Sequence, residues 1–185
     1  MELYIQEEQI SVHLQKRLER FRADYPVADE VKRRVSKPDM PFFGKEILEM
    51  AVSALLEGEN ILLCGDKATG KNILAENLAW MFGRPVYNMS FHVNTDSGSL
   101  IGSDTFVDNE VKLRKGPVYQ CAAYGGFGIL DEINMAKNDA VSVLHATLDY
   151  RRIIDVPGYD RIELHPAARF IGTMNYGCLL YTSPS

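Results

Sequence analysis

The sequence predicts an α/β fold in which helices surround a mostly parallel central sheet. Short apolar runs alternate with longer segments that repeat apolar residues every three or four positions. Such runs are typical of strands buried on both faces, and such repeats are typical of amphipathic helices. Strands and helices in alternation indicate βαβ units, whose strands are parallel. The predicted strands are residues 61–64, 86–89, 127–130 and 170–173.

An N-terminal helical segment precedes this core. Its apolar stripe predicts one amphipathic helix that Pro26 ends, and the stripe consists of Ile10, Leu14, Leu18, Phe21 and Tyr25. We expect the helix to pack on the following domain; a partner-binding arm is the alternative. Residues 1–40 hold eight basic and eight acidic residues, whereas residues 41–185 hold twelve and seventeen. This change, next to Pro38, predicts a segment 1–40 followed by a core 41–177.

The remaining elements follow from the same patterns. Helices are predicted after Gly44, at 71–82 and at 138–150, and residues 94–99 are predicted to form a polar loop. Two inserted β-hairpins are predicted, one at 105–113 turning near Asp108 and one at 153–164 turning near Pro157. We expect Cys64 to be a small core residue of the first strand.

Composition excludes several classes of protein. The chain has 185 residues, 46% apolar residues, three Cys and a formal net charge of −5, which excludes a disordered chain and a disulfide scaffold. No run of 18 apolar residues is present and Met1 does not begin a signal peptide, so we expect a cytoplasmic protein without a membrane span. The pI of about 5.4 disfavours nucleic acid as a partner.

Residues 65–72 carry a phosphate-loop pattern between a predicted strand and a predicted helix. Gly65 and Gly70 permit backbone angles that turn amide groups toward an anion, and the following helix adds its positive end. Lys71 would supply an ammonium group to the β- and γ-phosphates. A glycine-containing turn without a ligand is the alternative for these residues alone.

Asn72 departs from the pattern, which has Ser or Thr at this position. A hydroxyl there would ligate Mg²⁺. The amide oxygen of Asn can also ligate a hard cation or hold one of its waters. We therefore expect Asn72 and Asp131 to be the residues that face the metal.

Two further strands end in polar residues. Asp131 and Glu132 follow the run 127–130, where Asp131 is placed to hold Mg²⁺ and Glu132 to deprotonate an attacking water. Asn175 follows the run 170–173 and is placed to contact the γ-phosphate or that water. Each of these features alone is also found in ordinary caps and turns, but a phosphate loop followed by such a strand points to nucleotide hydrolysis.

Together these residues resemble the AAA+ ATPases of the MoxR-like, midasin-like (dynein-related) group. Residues 65–72 resemble Walker A, 129–136 resemble Walker B with its extension, and 172–175 resemble sensor 1. Residues 42–45, Phe-Phe-Gly-Lys, resemble the part of these proteins whose backbone meets adenine. The nucleotide-binding residues that motif and resemblance imply are Phe43, Gly44, Gly65, Asp66, Lys67, Ala68, Thr69, Gly70, Lys71, Asn72 and Ile73.

The resemblance implies a P-loop fold and Mg²⁺-dependent ATP hydrolysis, with Glu132, Lys71 and Asn175 as catalytic residues. It also implies a homo-oligomeric, hexameric ring that remodels a protein partner. A nucleotide-binding switch module with little hydrolysis is the alternative, because Asn72 departs from the motif. A DNA-handling motor is disfavoured by the acidic balance.

The elements that the resemblance implies after Asn175, an arginine finger and a helical lid among them, are not found in the sequence. We therefore expect a C-terminally truncated chain with weak activity. Residues 178–185 fit no expected element and are predicted to be a non-native tail, with a natural divergent tail as the alternative.

Overall fold

The computed structural model of the protein describes residues 10–107, 109–156 and 158–175. The predicted tail 178–185 and the hairpin positions Asp108 and Pro157 lie outside these ranges. The helices that begin at Val12, Lys45, Lys71 and Asn138 follow the predicted apolar repeats. The described helices are α1 (Val12–Asp24), α2 (Lys45–Leu56), α3 (Lys71–Met81), α4 (Ser97–Ile101), α5 (Pro117–Tyr124) and α6 (Asn138–Leu148), with short 3₁₀ turns at Asp29–Arg34 and Ile133–Met135.

The strands form one central sheet and two separate hairpins. In order along the chain they are β1 (Ile61–Gly65), β2 (Val86–Ser90), β3 (Gly102–Val107), β4 (Glu110–Lys115), β5 (Phe127–Asp131), β6 (Ile153–Ile154), β7 (Ile162–Glu163) and β8 (Arg169–Asn175). The central sheet has the order β1-β8-β5-β2, and each of its pairings is parallel. The α/β prediction is confirmed, and both hairpins form where they were predicted.

Apolar side chains fill the space on both sides of this sheet. On one side, α1, α2 and α3 pack with Phe127, Ile129 and Ile171 of the sheet. On the other side, α4, α5 and α6 pack with Tyr87, Leu130 and their neighbours. The central sheet thus has helices on both faces, as its nearly continuous apolar runs predict.

The N-terminal helix is part of the first of these cores. Leu14, Leu18 and Phe21 are buried in it, as the stripe predicts, and the ring of Phe21 packs edge-on against Phe82 at 5.0 Å between centroids. Arg84 fixes the C-terminal end of α1, because its guanidinium donates a hydrogen bond to the carbonyl of Tyr25 at 2.5 Å. These contacts favour the packed helix over the partner-binding arm.

Two local predictions are wrong. Cys64 is exposed and Leu62 is 53% exposed, because no element of the described residues covers this face of β1, which lies at an edge of the described sheet. Residues 94–99 do not stay a loop, because α4 begins at Ser97. Asp96 caps this helix reciprocally with Ser99: Asp96 Oδ1 accepts from the Ser99 amide at 2.7 Å, and Ser99 Oγ accepts from the Asp96 amide at 3.3 Å.

A half-buried histidine, His165, lies just before the start of β8 and close to two arginines. Nδ1 of His165 accepts a hydrogen bond from the amide of Ala167 at 3.1 Å, which requires this nitrogen to be unprotonated. Burial lowers the pKa of His165, and the positive charges of Arg84 and Arg152 lower it further.

Within the described ranges, no helix is both long enough and apolar enough to cross a membrane.

Candidate functional site

The candidate site lies where the parallel strands of the central sheet end. Gly65, the last residue of β1, pairs with Asn175, the last residue of β8. Leu130 pairs with Gly172, so the next position of β5, Asp131, comes beside Thr173. The sheet order therefore brings the loop after β1 and the polar ends of β5 and β8 to one edge, where ligands of open α/β sheets bind.

The loop between β1 and α3 has the backbone that an anion cradle needs. Ala68 and Gly70 both have positive φ angles, 63° and 84°, and Gly70 is the N-cap of α3. Successive amides in such conformations point into one concavity, and the helix N-terminus adds partial positive charge. Thr69 Oγ1 donates to the carbonyl of Asp66 at 2.9 Å and closes the loop on itself.

Lys71 lies over this loop. Its Nζ donates to the carbonyl of Asp66 at 2.6 Å and to the carbonyl of Gly65 at 3.1 Å. Both acceptors are neutral, and within the described ranges Lys71 forms no ion pair with a carboxylate, so its positive charge stays available at the cradle. The first turn of α3 thus combines a lysine ammonium group with the amide groups of a helix N-terminus, the combination that binds phosphate groups.

Asp131 is held by a buried hydroxyl from the neighbouring strand. Thr173 is 1% exposed, and its Oγ1 donates to Asp131 Oδ1 at 2.6 Å. The same Oγ1 accepts the amide of Glu132 at 3.4 Å. The sequence analysis did not single out Thr173. Its role can be recognised only once β5 and β8 are known to be neighbours, because this pairing places Thr173 beside Asp131. This hydroxyl fixes the position of the acid predicted to face the metal.

Glu132 stands in a conformation that non-glycine residues rarely adopt. Its φ of 54° and ψ of 45° are left-handed, at a cost of about 1–3 kcal/mol. Asn175 Nδ2 donates to Glu132 Oε1 at 3.5 Å, a long hydrogen bond. The two polar residues predicted from separate strand ends therefore meet, and the strained backbone turns the carboxylate toward the cleft.

A cleft of about 430 Å³ joins these parts. All of its lining residues belong to the predicted site. They are Lys67, Ala68, Thr69, Gly70, Lys71, Asn72, Ile73, Asp131, Glu132 and Asn175.

The other predicted residues lie next to the cleft rather than in its lining. Gly65 and Asp66 contribute their carbonyls to Lys71. Gly44 is the N-cap of α2, and Phe43 is 78% exposed. Phe42, the first residue of the segment 42–45, lies against the phosphate loop, since a methyl group on Gly70 would come within 3.8 Å of its ring.

The donor set at the cleft fits a magnesium ion bound together with phosphate. Asn72 and Asp131 both line the cleft and offer the amide and carboxylate oxygens that hard cations take. Among the described residues, no group of three or more His, Cys, Asp or Glu converges. A metal here would therefore take its remaining ligands from phosphate and water, the usual arrangement for Mg²⁺ with a nucleotide.

Fold and site together define a nucleotide-binding domain of the phosphate-loop class. Its defining parts are a parallel sheet, a loop with a left-handed glycine before a helix, and acid residues at the end of β5, which β8 separates from β1 in the sheet. Residues 60–179 match the family described as "AAA domain (dynein-related subfamily)". The chain belongs to this family and carries an AAA-type ATPase domain.

Two curated relatives are similar to the chain over most of its length. The chain is 32% identical over 139 residues to the uncharacterized protein YojN of Bacillus subtilis, a match that covers 72% of the chain and 45% of that protein. It is 34% identical over 133 residues to the uncharacterized protein SSP1341 of Staphylococcus saprophyticus, covering 69% of the chain and 51% of that protein. The chain spans about half the length of the curated relatives that it matches.

Solved structures support the fold. A crystal structure of a candidate ATPase from Cytophaga hutchinsonii superposes with a TM-score of 0.61 at 18% identity. The match covers 99% of the chain and 49% of that protein. At this identity the likeness concerns the architecture alone.

Proposed function

We propose that the protein binds ATP at this cleft and hydrolyses it with Mg²⁺. The observation that carries the proposal is the meeting of Lys71 and the phosphate loop with Asp131, Glu132 and Asn175 around one cleft of about 430 Å³. The loop and Lys71 would hold the phosphates, and Asn72 and Asp131 would hold the metal. A magnesium ion bound there would neutralise charge on the phosphates.

Glu132 is the proposed base. Its carboxylate lines the cleft directly after the end of β5, in the same cleft as the phosphate loop. We propose that it takes the proton from the attacking water while Asn175, 3.5 Å from it, orients the same water or the γ-phosphate. The strained backbone of Glu132 is consistent with this role, because such strain tends to occur where function requires it.

The role in the cell is also part of the proposal. By resemblance to MoxR-like and midasin-like proteins, the whole protein would form a homo-oligomeric, hexameric ring and remodel a protein partner. The exposed hairpin of β3 and β4 supports a contact outside the domain, since it carries Phe106 at 70% and Val111 at 62% exposure, paired across its strands. Cytoplasmic location stays a prediction.

A nucleotide-binding switch with little hydrolysis is the second candidate. The observation that favours it is Asn72, which is exposed at the metal side of the cleft where the motif has a hydroxyl. In this alternative the protein would change its contacts when ATP binds and would not need rapid turnover.

Phosphate release from ATP, measured with and without Mg²⁺, separates the two candidates. The ATPase proposal predicts turnover that needs Mg²⁺ and that Lys71→Ala abolishes, because Lys71 supplies the phosphate-binding cation. Lys16→Ala, an exposed lysine change on α1 far from the cleft, is the matched control and should behave as wild type. Nucleotide binding without turnover would leave the switch alternative, and no binding would refute both.

A further inference from the structure

A second cavity adjoins the cleft on the side of α3 that faces β2. We call it the side cavity; its volume is about 170 Å³, and it shares Asn72 and Asp131 with the cleft. Its other polar lining residues are Glu76, Asn88 and Ser90. A cavity needs only about 10–15 Å³ of such space to hold a water, so this one has room for several.

Both neighbouring elements direct oxygen-bearing side chains into the side cavity. Asn72 and Glu76 are four residues apart on α3 and lie on one face of that helix. Asn88 and Ser90 alternate with buried residues on β2, and Ser90 pairs with Asp131 of β5. The cavity therefore extends from the proposed metal position, at Asn72 and Asp131, to the carboxylate of Glu76.

Glu76 is half-buried. Among the residues that the structure describes, its carboxylate forms no ion pair and no hydrogen bond, and the charged group that acts on it is the carboxylate of Asp39. Arg34 and Lys37 line an adjoining groove of about 370 Å³ together with Glu76, yet neither pairs with it. A partly buried carboxylate without a partner costs free energy, and a cation nearby would offset that cost.

We propose that Glu76 positions the magnesium ion that accompanies ATP, by accepting hydrogen bonds from its water ligands through the side cavity. This inference rests on the proposed function. Asn72 offers a neutral amide oxygen in place of the motif's hydroxyl, and Glu76 adds a full negative charge one helical turn further along the same face. Residues beyond the direct ligands orient those ligands and strengthen metal binding in this way.

Calorimetric titration with the non-hydrolysable analogue AMP-PNP tests this role. The dissociation constant is measured with and without Mg²⁺ for wild type, Glu76→Gln and Glu163→Gln. The last is the matched control, because Glu163 is an exposed glutamate on β7 outside both cavities. We expect Glu76→Gln to reduce the strengthening of binding by Mg²⁺ about tenfold, to leave metal-free binding equal or tighter, and not to lower stability without ligand.

Three results would overturn the inference. A Mg²⁺ effect in Glu76→Gln equal to that of wild type would mean that Glu76 does not act on the metal. Weakening of both dissociation constants by the same factor would assign Glu76 a purely structural role. Failure of wild type to bind AMP-PNP at all would refute the proposed function and this inference with it, whereas the first two results leave the proposed function intact.

Discussion

Replacing Thr173 by valine tests whether one buried hydroxyl holds the acid assigned to magnesium. Thr173 Oγ1 lies 2.6 Å from Asp131 Oδ1, and valine keeps the shape of the side chain but removes the donor. A hydrogen bond to a charged group contributes about 1.5–3 kcal/mol, and water in the cleft would recover part of it. We therefore expect a loss of about 1.4 kcal/mol in metal binding, which is about tenfold in affinity.

The assay is ATP hydrolysis at graded Mg²⁺ concentrations, combined with chemical unfolding of each variant. Thr173→Val should raise the Mg²⁺ concentration for half-maximal rate about tenfold, while the free energy of unfolding falls by no more than about 3 kcal/mol. Thr173→Ser keeps the hydroxyl and should stay close to wild type. An unchanged Mg²⁺ dependence in Thr173→Val, or an equal loss in Thr173→Ser, would refute the reasoning.

Three further changes probe other parts of the account. Asn72→Thr should keep or raise ATP turnover, and a folded variant that no longer binds nucleotide would contradict the metal assignment. Leu18→Ala, in the buried face of α1, should lower the free energy of unfolding by about 2–5 kcal/mol in urea titration; a change near zero would mean that α1 is a loose arm. His165 has a pKa lowered below 6.5, so the stability that it contributes is present above that pH and lost below it. His165→Asn should therefore shrink the loss of stability between about pH 7.5 and about pH 5.5, and an unchanged loss would show that other groups cause it.

Much of the fold could be predicted from the sequence because its signals are local. Most strands of the central sheet contain a short apolar run, and each long helix is an apolar repeat with clear breakers, such as Pro26. Cys64 was misjudged because an apolar run does not reveal whether its strand lies at an edge of the sheet, where one face stays exposed. The capping residue Asp96 was missed because its helix spans only five residues.

The sequence identified some residues of the candidate site, whereas others could be identified only from the structure. The phosphate loop and the acids of β5 could be named because their residue types occur at fixed spacing in the chain. Thr173 and Glu76 could not be named, because their roles depend on which strand lies beside which and on how α3 is rotated over the sheet. The resemblance links residues 42–45 to adenine, but only the structure shows that the ring of Phe42 lies against Gly70 of the phosphate loop.

The central claim is that this cleft hydrolyses ATP with Glu132 as the base, and Glu132→Gln tests it most directly. Calorimetry should give wild-type affinity for Mg²⁺ and ATP, because the amide keeps the size of the side chain and Glu132 is not a proposed phosphate or metal contact. Phosphate release should fall by about 10²–10⁴-fold, the usual contribution of a general base. A folded Glu132→Gln variant that binds ATP and hydrolyses it at the wild-type rate would contradict the account.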